Sequence, residues 1–267
     1  MSEVTVGTRG ETVVHATALV NSAAELGQGV SVGPWSLIGP GVRIGDGVAI
    51  GPRVLIERDT DVGEDCRIAN GAVLGTEPQD LKYKGEETTL EVGARSVIRE
   101  FATLNRGTSA SGKTVIGSDC LLMAYTHVAH DCELGNHVIL SNAVNMGGHV
   151  LIEDWVTVGG LTPIHQFVRI GAHAFVGGGS RIPQDVPPYC RAAGNPPKLY
   201  GLNTVGLERR GFSENVRKAL KKVYRTLFAS NLNLSQALVR ADEESSTIPE
   251  VRHLLEFIRS GERGITL

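Results

Sequence analysis

An apolar residue, in most cases Ile, Val or Leu, recurs at every sixth position of this chain and is usually followed by Gly. The series runs from Val14 to Leu74 and resumes from Ile116 to Ile182. Neither the period of about 3.6 residues of a helix nor the period of about 2 of a strand gives this spacing. A fixed six-residue period predicts a parallel β-helix, in which three short strands and three turns form each coil. The apolar anchors point inward, and the Gly after each anchor turns a corner where a Cβ would clash.

A second position of the hexad supports the same fold. Four residues after each anchor stands a small or β-branched residue, which in the first series is Ser36, Val42, Val48, Val54, Thr60, Cys66 and Ala72. Cys66, Cys120 and Cys132 all fall at this position, and no CxxC pair is present. We therefore interpret these cysteines as buried core residues rather than as metal or redox pairs.

Two polar segments interrupt the repeat, and the repeat ends after Ile182. Inserted loops are predicted near residues 75–91 and 106–114, and such loops in a solenoid often carry function. Four prolines between residues 187 and 197 mark the end of regular pairing. We predict an all-β solenoid, a parallel β-helix over residues 1–195, followed by a C-terminal α-helical subdomain over residues 196–267.

Helical spacing of apolar residues appears in the C-terminal part. Ser213 is a candidate N-cap for a helix that continues to about residue 230. Further helices are predicted near residues 234–241 and 249–259. These helices would cap one end of the solenoid, as open solenoid ends require.

Charge and hydropathy narrow the class of protein. The formal net charge of −3 gives no indication of a nucleic-acid partner. The N-terminal segment lacks an apolar signal region, and no stretch of the sequence is long and apolar enough for a membrane span. We expect a cytoplasmic protein without an integral membrane segment.

Four histidines are predicted to converge on one ridge of the β-helix. Three anchors eighteen residues apart lie above one another in successive coils, separated by about 4.8 Å as neighbouring strands are. Each of their hexads carries a histidine, and a fourth precedes the first: His130, His149, His165 and His127. Outward imidazoles stacked in adjacent coils serve no packing need, so we interpret the cluster as functional. The isolated His137 and His173 are interpreted as solvent-exposed corner residues.

Two kinds of chemistry could use this ridge. In the first, His130 is a general base whose tautomer is held by the adjacent Asp131. In the second, three histidines bind a metal ion and leave one position open for water. The Gly147-Gly148 pair before His149 could present a backbone N–H to the oxyanion of a tetrahedral acyl intermediate.

A second polar group lies near the start of the helical part and contains Asn203, Arg209 and Arg210. Paired guanidinium groups suit a phosphate or diphosphate because each makes bidentate contacts. The alternative is a solvated helix face.

Together these residues resemble the acyl-ACP:UDP-N-acetylglucosamine O-acyltransferases that begin lipid A synthesis. The resemblance rests on QDLKY at 79–83, HVAHDC at 127–132, GGH at 147–149, HQF at 165–167, QDVPPY at 184–189 and GLxRRGF at 206–212. It implies a homotrimer of left-handed parallel β-helices with active sites in the clefts between subunits. It also implies acyl carrier protein and UDP-N-acetylglucosamine as partners, with no cofactor and no metal.

The resemblance assigns a role to individual residues. His130 would take the proton from the glucosamine 3-hydroxyl, Asp131 would support it, and the Gly148 N–H would contact the oxyanion. Gly178 would limit the acyl length. Substrate-binding roles are implied for Asp80, Lys82, His127, His149, His165, Gln166, Asn203, Arg209 and Arg210. Departures from the family pattern stand at Pro78, Tyr125 and Val205, where Val205 replaces an acidic residue near the uridine.

Other functions are compatible with the same repeat. A UDP-sugar N-acyltransferase of this fold has an extra N-terminal domain, whereas here the hexads begin by Val14. The acceptor could also be a 3-amino sugar analogue. A metal-dependent carbonic anhydrase is built on a similar trimer, and a non-catalytic solenoid that binds acyl carrier protein is the remaining class.

Overall fold

The computed structural model describes residues 10–245 and 247–267 of the chain. Its main part is a parallel β-helix, as predicted from the six-residue period, with the left-handed sense that the resemblance implies. The first nine residues of the predicted β-helix domain lie outside the described residues. Within the described part of the chain, no helix is long and apolar enough to cross a membrane.

The strands are short, and most contain two residues. The first fourteen are β1 (Val13–Val14), β2 (Leu19–Val20), β3 (Glu25–Leu26), β4 (Ser31–Val32), β5 (Leu37–Ile38), β6 (Arg43–Ile44), β7 (Ala49–Ile50), β8 (Leu55–Ile56), β9 (Thr60–Val62), β10 (Arg67–Ile68), β11 (Val73–Thr76), β12 (Thr89–Val92), β13 (Val97–Ile98) and β14 (Thr103–Asn105). The others are β15 (Lys113–Ile116), β16 (Leu121–Leu122), β17 (His127–Val128), β18 (Glu133–Leu134), β19 (Ile139–Leu140), β20 (Asn145–Met146), β21 (Leu151–Ile152), β22 (Thr157–Val158), β23 (Pro163–Ile164), β24 (Arg169–Ile170), β25 (Phe175–Val176), β26 (Cys190–Gly194) and β27 (Pro197–Leu202).

Every third strand joins the same sheet, so the coil has three faces. The first sheet begins with β1 and β4, the second with β2 and β5, and the third with β3 and β6. Strands of successive coils pair in register, as in Ile38 opposite Ile56. The second residue of each two-residue strand is the anchor, and from β4 onward it points into a continuous apolar core. The three cysteines predicted as core residues are buried, which confirms their interpretation.

Two positions shape the corners: the residue directly after the anchor, which is often glycine, and a residue with positive φ two positions later. A Cβ on Gly39, the residue after an anchor, would lie 1.7 Å from the carbonyl oxygen of Glu57 in the next coil. The positive φ angle that bends the chain falls two residues later, where some corners have a glycine, such as Gly41, and others a non-glycine residue, such as Tyr125 or His149. The predicted clash is therefore confirmed, but the bend itself does not depend on glycine.

Both predicted loops leave the β-helix at the same corner, between the second and third sheets. The first runs between β11 and β12, and the second between β14 and β15. Arg106 joins them, because its Nη1 donates to the Gly75 carbonyl at 2.7 Å and its Nη2 donates to the Tyr83 hydroxyl at 3.1 Å. The insertions thus form one connected surface beside this corner.

The C-terminal part contains the helices α1 (Thr204–Arg209), α2 (Glu214–Phe228), α3 (Leu234–Ser245) and α4 (Pro249–Arg259). Ser213 caps α2 as predicted, and its hydroxyl accepts from the Val216 N–H. The predicted helices α2, α3 and α4 are confirmed. Helix α1 and the antiparallel hairpin of β26 and β27 were not predicted, and the predicted boundary between residues 195 and 196 falls inside that hairpin.

Buried polar contacts fix the helices to the last coils. The Arg169 guanidinium donates to Asp185 Oδ2 at 2.9 Å and to the Phe257 carbonyl of α4 at 2.7 Å. His253 of α4 lies between the Tyr189 hydroxyl, at 2.9 Å, and Glu153 Oε2, at 3.0 Å. These contacts hold α4 against the last coils of the β-helix.

Candidate active site

The predicted catalytic residues lie at the corner between the second and third sheets, which we call the histidine corner and define by His130, Asp131, His149 and Phe167. His149 stacks on Phe167 with ring centroids 4.5 Å apart, and its edge meets the His130 ring at 5.2 Å. Asp131, His149 and Phe167 occupy the same left-handed corner position in successive coils. The eighteen-residue spacing therefore produces a contiguous ridge.

His130 and Asp131 form a hydrogen-bonded pair. The distance between His130 Nδ1 and Asp131 Oδ2 is 2.7 Å, and the side chains are 13% and 0% exposed. With Asp131 ionised, the Nδ1–H donates to the carboxylate, and Nε2 carries the free lone pair. An imidazole oriented in this way can accept a proton at Nε2.

The second inserted loop holds the Asp131 carboxylate. Oδ1 accepts from the Thr108 N–H at 2.9 Å and from the Ser111 hydroxyl at 2.5 Å, and Oδ2 accepts from the Thr108 hydroxyl at 2.7 Å. Burial by itself would raise the pKa of Asp131, but the hydrogen bonds from Ser111, His130 and Thr108 outweigh it and lower the pKa well below its usual range. Asp131 is therefore an anion whose position is determined by the loop.

Gly148 lies directly under the His130 ring. A Cβ at this position would be 2.5 Å from His130 Cε1 and 2.7 Å from Nε2. At the same hexad position of the corner between the third and first sheets, a side-chain oxygen of the next coil accepts the backbone N–H, as when Asn136 N donates to Asp154 Oδ1. No group in the described part of the chain accepts from the Gly148 N–H. Gly148 thus gives room for the imidazole and leaves a donor beside it.

The other two histidines of the predicted ridge differ in their surroundings. His127 Nδ1 lies 2.7 Å from the Thr103 hydroxyl, and burial, followed by the nearby His130, lowers the pKa of His127. His165 is exposed, and its Nδ1 lies 3.1 Å from the Gln166 carbonyl.

The three-histidine metal site suggested as an alternative is not formed in one chain. The cluster of close ligand atoms among the described residues consists of His130, Asp131 and His149, without His165. In this cluster the carboxylate oxygens of Asp131 already accept the hydrogen bonds from the loop and from His130.

Asp80 and Lys82 lie in the first inserted loop, which leaves the same corner as His130. Asp80 Oδ1 accepts from the Lys82 N–H at 3.0 Å, which makes the loop turn locally. In the described residues neither side chain contacts His130, so their substrate-binding role stays a prediction.

The remaining predicted nucleotide residues line a separate cavity of about 500 Å³ on the outer face of the first sheet. We call it the arginine cavity, and its lining residues are Ile139, Thr157, Phe175, Arg191, Asn203, Thr204, Val205, Gly206, Arg209 and Arg210. Asn203 caps α1, since its Oδ1 accepts from the Gly206 N–H and its Nδ2 donates to the His173 carbonyl. Its side chain therefore shapes the cavity wall.

The two predicted arginines differ in exposure. Arg209 is exposed, whereas the Arg210 guanidinium lies over the Trp155 ring, 5.1 Å from the centroid. Arg210 Nη1 is buried without a hydrogen-bond partner among the described residues, and burial lowers the pKa of Arg210. A buried donor of this kind favours an anionic ligand.

His137 and His173 occupy corner positions, as predicted, but both are half-buried rather than solvent-exposed. His137 stacks on Trp155 at 3.8 Å, and His173 stacks on Tyr189 at 5.7 Å with Phe212 at its edge. Burial lowers the pKa of His173 to about 4, and its Nδ1 is buried without a partner among the described residues. The two rings belong to an aromatic column that supports Arg210 and the helical part.

Gly178 lies at the corner between the first and second sheets, in the coil that follows Gly160. It is exposed, and a Cβ there would be 3.2 Å from the Gly160 carbonyl oxygen. Three coils separate the strands near His130 from this level, which corresponds to roughly 14 Å at about 4.8 Å per coil.

The same corner carries large exposed apolar side chains. We call it the apolar edge and define it by Trp35, Phe101, Tyr125 and Leu161, all of which are exposed. Phe101 and Tyr125 stack with ring centroids 5.3 Å apart. The third sheet, by contrast, is charged and carries the Arg43–Asp61 and Lys113–Glu91 pairs.

Sequence reasoning missed several side chains of the site. They are Thr103, Thr108, Ser111 and Phe167, which support the histidines or Asp131, and Arg191, which lines the arginine cavity. A polar loop inserted beside the histidine hexads was the one signal for Thr108 and Ser111. The hydrogen bond between Thr108 and Asp131, by contrast, joins residues more than twenty positions apart in the sequence.

Two family models match parts of the chain. Residues 185–266 match the family model described as UDP N-acetylglucosamine O-acyltransferase, domain 2. Residues 23–58, 41–76 and 113–148 match the bacterial transferase hexapeptide model of six repeats.

Whole proteins match over nearly the full chain. The acyl-[acyl-carrier-protein]–UDP-N-acetylglucosamine O-acyltransferase of Chlorobaculum parvum is 58% identical over 252 residues, which cover 94% of this chain and 96% of the relative. The enzyme of the same name from Myxococcus xanthus is 49% identical, with coverages of 95% and 98%. The solved structure of LpxA from Acinetobacter baumannii has a TM-score of 0.93 at 41% identity and covers 96% of this chain and 100% of that chain.

Proposed function

The chain belongs to the acyl-[acyl-carrier-protein]–UDP-N-acetylglucosamine O-acyltransferase family, and we propose that it transfers a 3-hydroxyacyl chain from acyl carrier protein to the 3-hydroxyl of UDP-N-acetylglucosamine. This reaction is the first step of lipid A biosynthesis. We propose His130 as its general base. The observation that carries this mechanism is the His130–Asp131 pair above the free N–H of Gly148. The acyl carrier protein is a co-substrate, and the reaction as written consumes no cofactor.

The residues of the histidine corner suit each step of acyl transfer. His130 Nε2 accepts the proton of the sugar hydroxyl as its oxygen attacks the thioester carbonyl. Asp131, held by Thr108 and Ser111, stabilises the resulting imidazolium through Nδ1–H. The Gly148 N–H donates to the oxyanion of the tetrahedral intermediate. When that intermediate collapses, the C–S bond breaks and His130 returns its proton to the leaving thiolate.

A second copy of the chain is proposed to complete the site. The arginine cavity lies on the first sheet, whereas His130 lies beyond the second sheet, so one chain presents its two sites on different faces. The apolar edge lies between these two sheets. Packing around this edge in a three-fold homotrimer would bring the first sheet of one copy towards the second sheet of the next. Exposed apolar area of this kind is typical of an interface.

The acyl chain is proposed to run from His130 towards Gly178 along the cleft that such packing would create. Gly178 is exposed, and a glycine there leaves room at the end of the cleft. His149, His165 and Gln166 border the path on the coils above His130 and are proposed to position the substrates.

The test is an acyl-transfer assay of the purified protein with a panel of acyl-ACPs and UDP-sugars, including a 3-amino analogue. The His130→Ala variant should lose about 10² to 10⁴ in rate, since that is the usual contribution of a general base. Its melting temperature and trimer mass by light scattering should stay near wild type, because the imidazole is outside the apolar core. A variant that keeps more than about a tenth of the activity would contradict the role of His130.

A further inference from the structure

Arg191 lines the arginine cavity but belongs to none of the motifs on which the sequence resemblance rests. It lies on β26, and its register partner in β25 is Phe175. Phe175 in turn pairs with Thr157, and Thr157 with Ile139. These four residues form one outward column on the first sheet, and this column is the floor of the cavity.

The charge of the cavity is of one sign. Arg191, Arg209 and Arg210 are its charged lining residues, and none of its described lining residues is acidic. Arg191 is exposed, and its Nη2 donates to the Tyr200 carbonyl at 3.2 Å. That contact uses one N–H of the guanidinium and leaves the others available. With no carboxylate beside it, Arg191 keeps its full attraction for an anion.

Beside Arg191, the lining of the arginine cavity is largely apolar. The Phe175 side chain is 38% exposed beside Arg191, and Val205 on α1 is 57% exposed. A cavity with apolar walls and several guanidinium groups fits a nucleotide, because the ring contacts apolar surface while the phosphates contact the cations.

We propose that Arg191 is a further binding residue for the diphosphate of the UDP-sugar, acting together with Arg209 and Arg210. The proposal deepens the function proposed above and rests on it. The non-bridging oxygens of a diphosphate can accept from several guanidinium groups, and the fork of Arg191 adds a bidentate contact to those of Arg209 and Arg210. Arg191 therefore selects for a nucleoside diphosphate over a nucleoside without phosphates.

The test compares binding of UDP, UMP and uridine by calorimetry to the wild type, Arg191→Ala and Arg191→Lys. Arg225→Ala is the matched control, because it removes an exposed arginine from α2 that does not line the arginine cavity. Arg191→Ala should weaken UDP binding about 5- to 10-fold, as expected for a partly solvated charge-assisted contact. Uridine binding should not change, and the salt dependence of UDP binding should decrease in Arg191→Ala. Arg191→Lys should restore only part of the UDP affinity, because the ammonium keeps the charge but not the bidentate fork.

The outcomes separate this proposal from the proposed function. If the wild type binds UDP and Arg191→Ala binds it equally well, Arg191 has no role in the site. If Arg191→Ala weakens UDP and uridine by the same factor, the residue acts through its Tyr200 contact on the shape of the hairpin, and the proposal is overturned. If the wild type itself binds no UDP, the result contradicts the proposed function, on which the role of Arg191 depends.

Discussion

Replacing Gly148 by Ala tests the geometry of the histidine corner with a single methyl group. The three nearest atoms to a Cβ at this position all belong to the His130 ring, at 2.5 Å, 2.7 Å and 3.1 Å. Gly148 has no left-handed φ, so alanine adopts the same backbone without strain. The variant also keeps the backbone N–H, so the oxyanion contact is not deleted. The perturbation is therefore a displacement of the catalytic imidazole.

The size of the effect follows from these distances. Carbon atoms prefer separations of about 3.5 to 4.0 Å, so the ring has to move by roughly 1 Å. That movement stretches the 2.7 Å hydrogen bond between His130 and Asp131 beyond useful range. A misplacement of about 1 Å commonly costs a factor of about 100 in rate, or about 2.7 kcal/mol of transition-state stabilisation. The ring can move outward, so the melting temperature should change little.

The assay is kcat/KM for acyl transfer in Gly148→Ala, His130→Ala and the double variant. Because the alanine acts through the imidazole, the double variant should be no slower than His130→Ala alone, which is a fully non-additive cycle. If Gly148→Ala kept kcat/KM within about threefold of wild type, or if the two losses simply multiplied, the steric reasoning would be refuted.

Two further predictions concern acid stability and chain length. Because the pKa of Asp131 is lowered in the folded state, its ionisation stabilises the fold at pH values above the unfolded pKa of about 4, and this contribution is lost as the pH falls below that value. Urea unfolding between about pH 3 and pH 7 should therefore show a steeper loss of unfolding free energy towards acid pH for the wild type than for Asp131→Asn. Equal slopes for the two proteins would contradict this. Gly178→Met should shift the preference to acyl chains about four carbons shorter, because each methylene excluded from the cleft loses about 0.8 kcal/mol of binding free energy. The measurement is a competition between short and long acyl-ACPs. An unchanged product ratio would place the end of the cleft elsewhere.

The repeat made most of the fold predictable from sequence. A six-residue period predicts which side chains point inward, because each short strand contributes one anchor and every coil repeats the same arrangement. The local sequence pattern is therefore enough to predict the fold of the whole solenoid. Helices α2 and α4 were predictable for a similar reason, since a Ser cap and a Pro at the first turn are local signals. The same arithmetic placed His130 and His149 in adjacent coils.

Other features depended on contacts that no period encodes. The carboxylate of Asp131 is held by Thr108 and Ser111 from a loop of irregular sequence, and the loop conformation comes from tertiary hydrogen bonds. The sequence predicts His173 to be a solvent-exposed corner residue, yet the helical part packs Phe212 against it and leaves it half-buried.

Spacing along one strand-turn repeat was enough to predict the coil, the inward anchors and the neighbouring positions of His130 and His149. Three relations became known from the three-dimensional arrangement: Gly148 lies under the His130 ring, Arg191 shares a cavity with α1, and this cavity and His130 occupy different faces. The physical reason is that these relations join segments whose distance in space is set by stacking of coils and docking of helices. Neither of those has a period that can be counted along the chain.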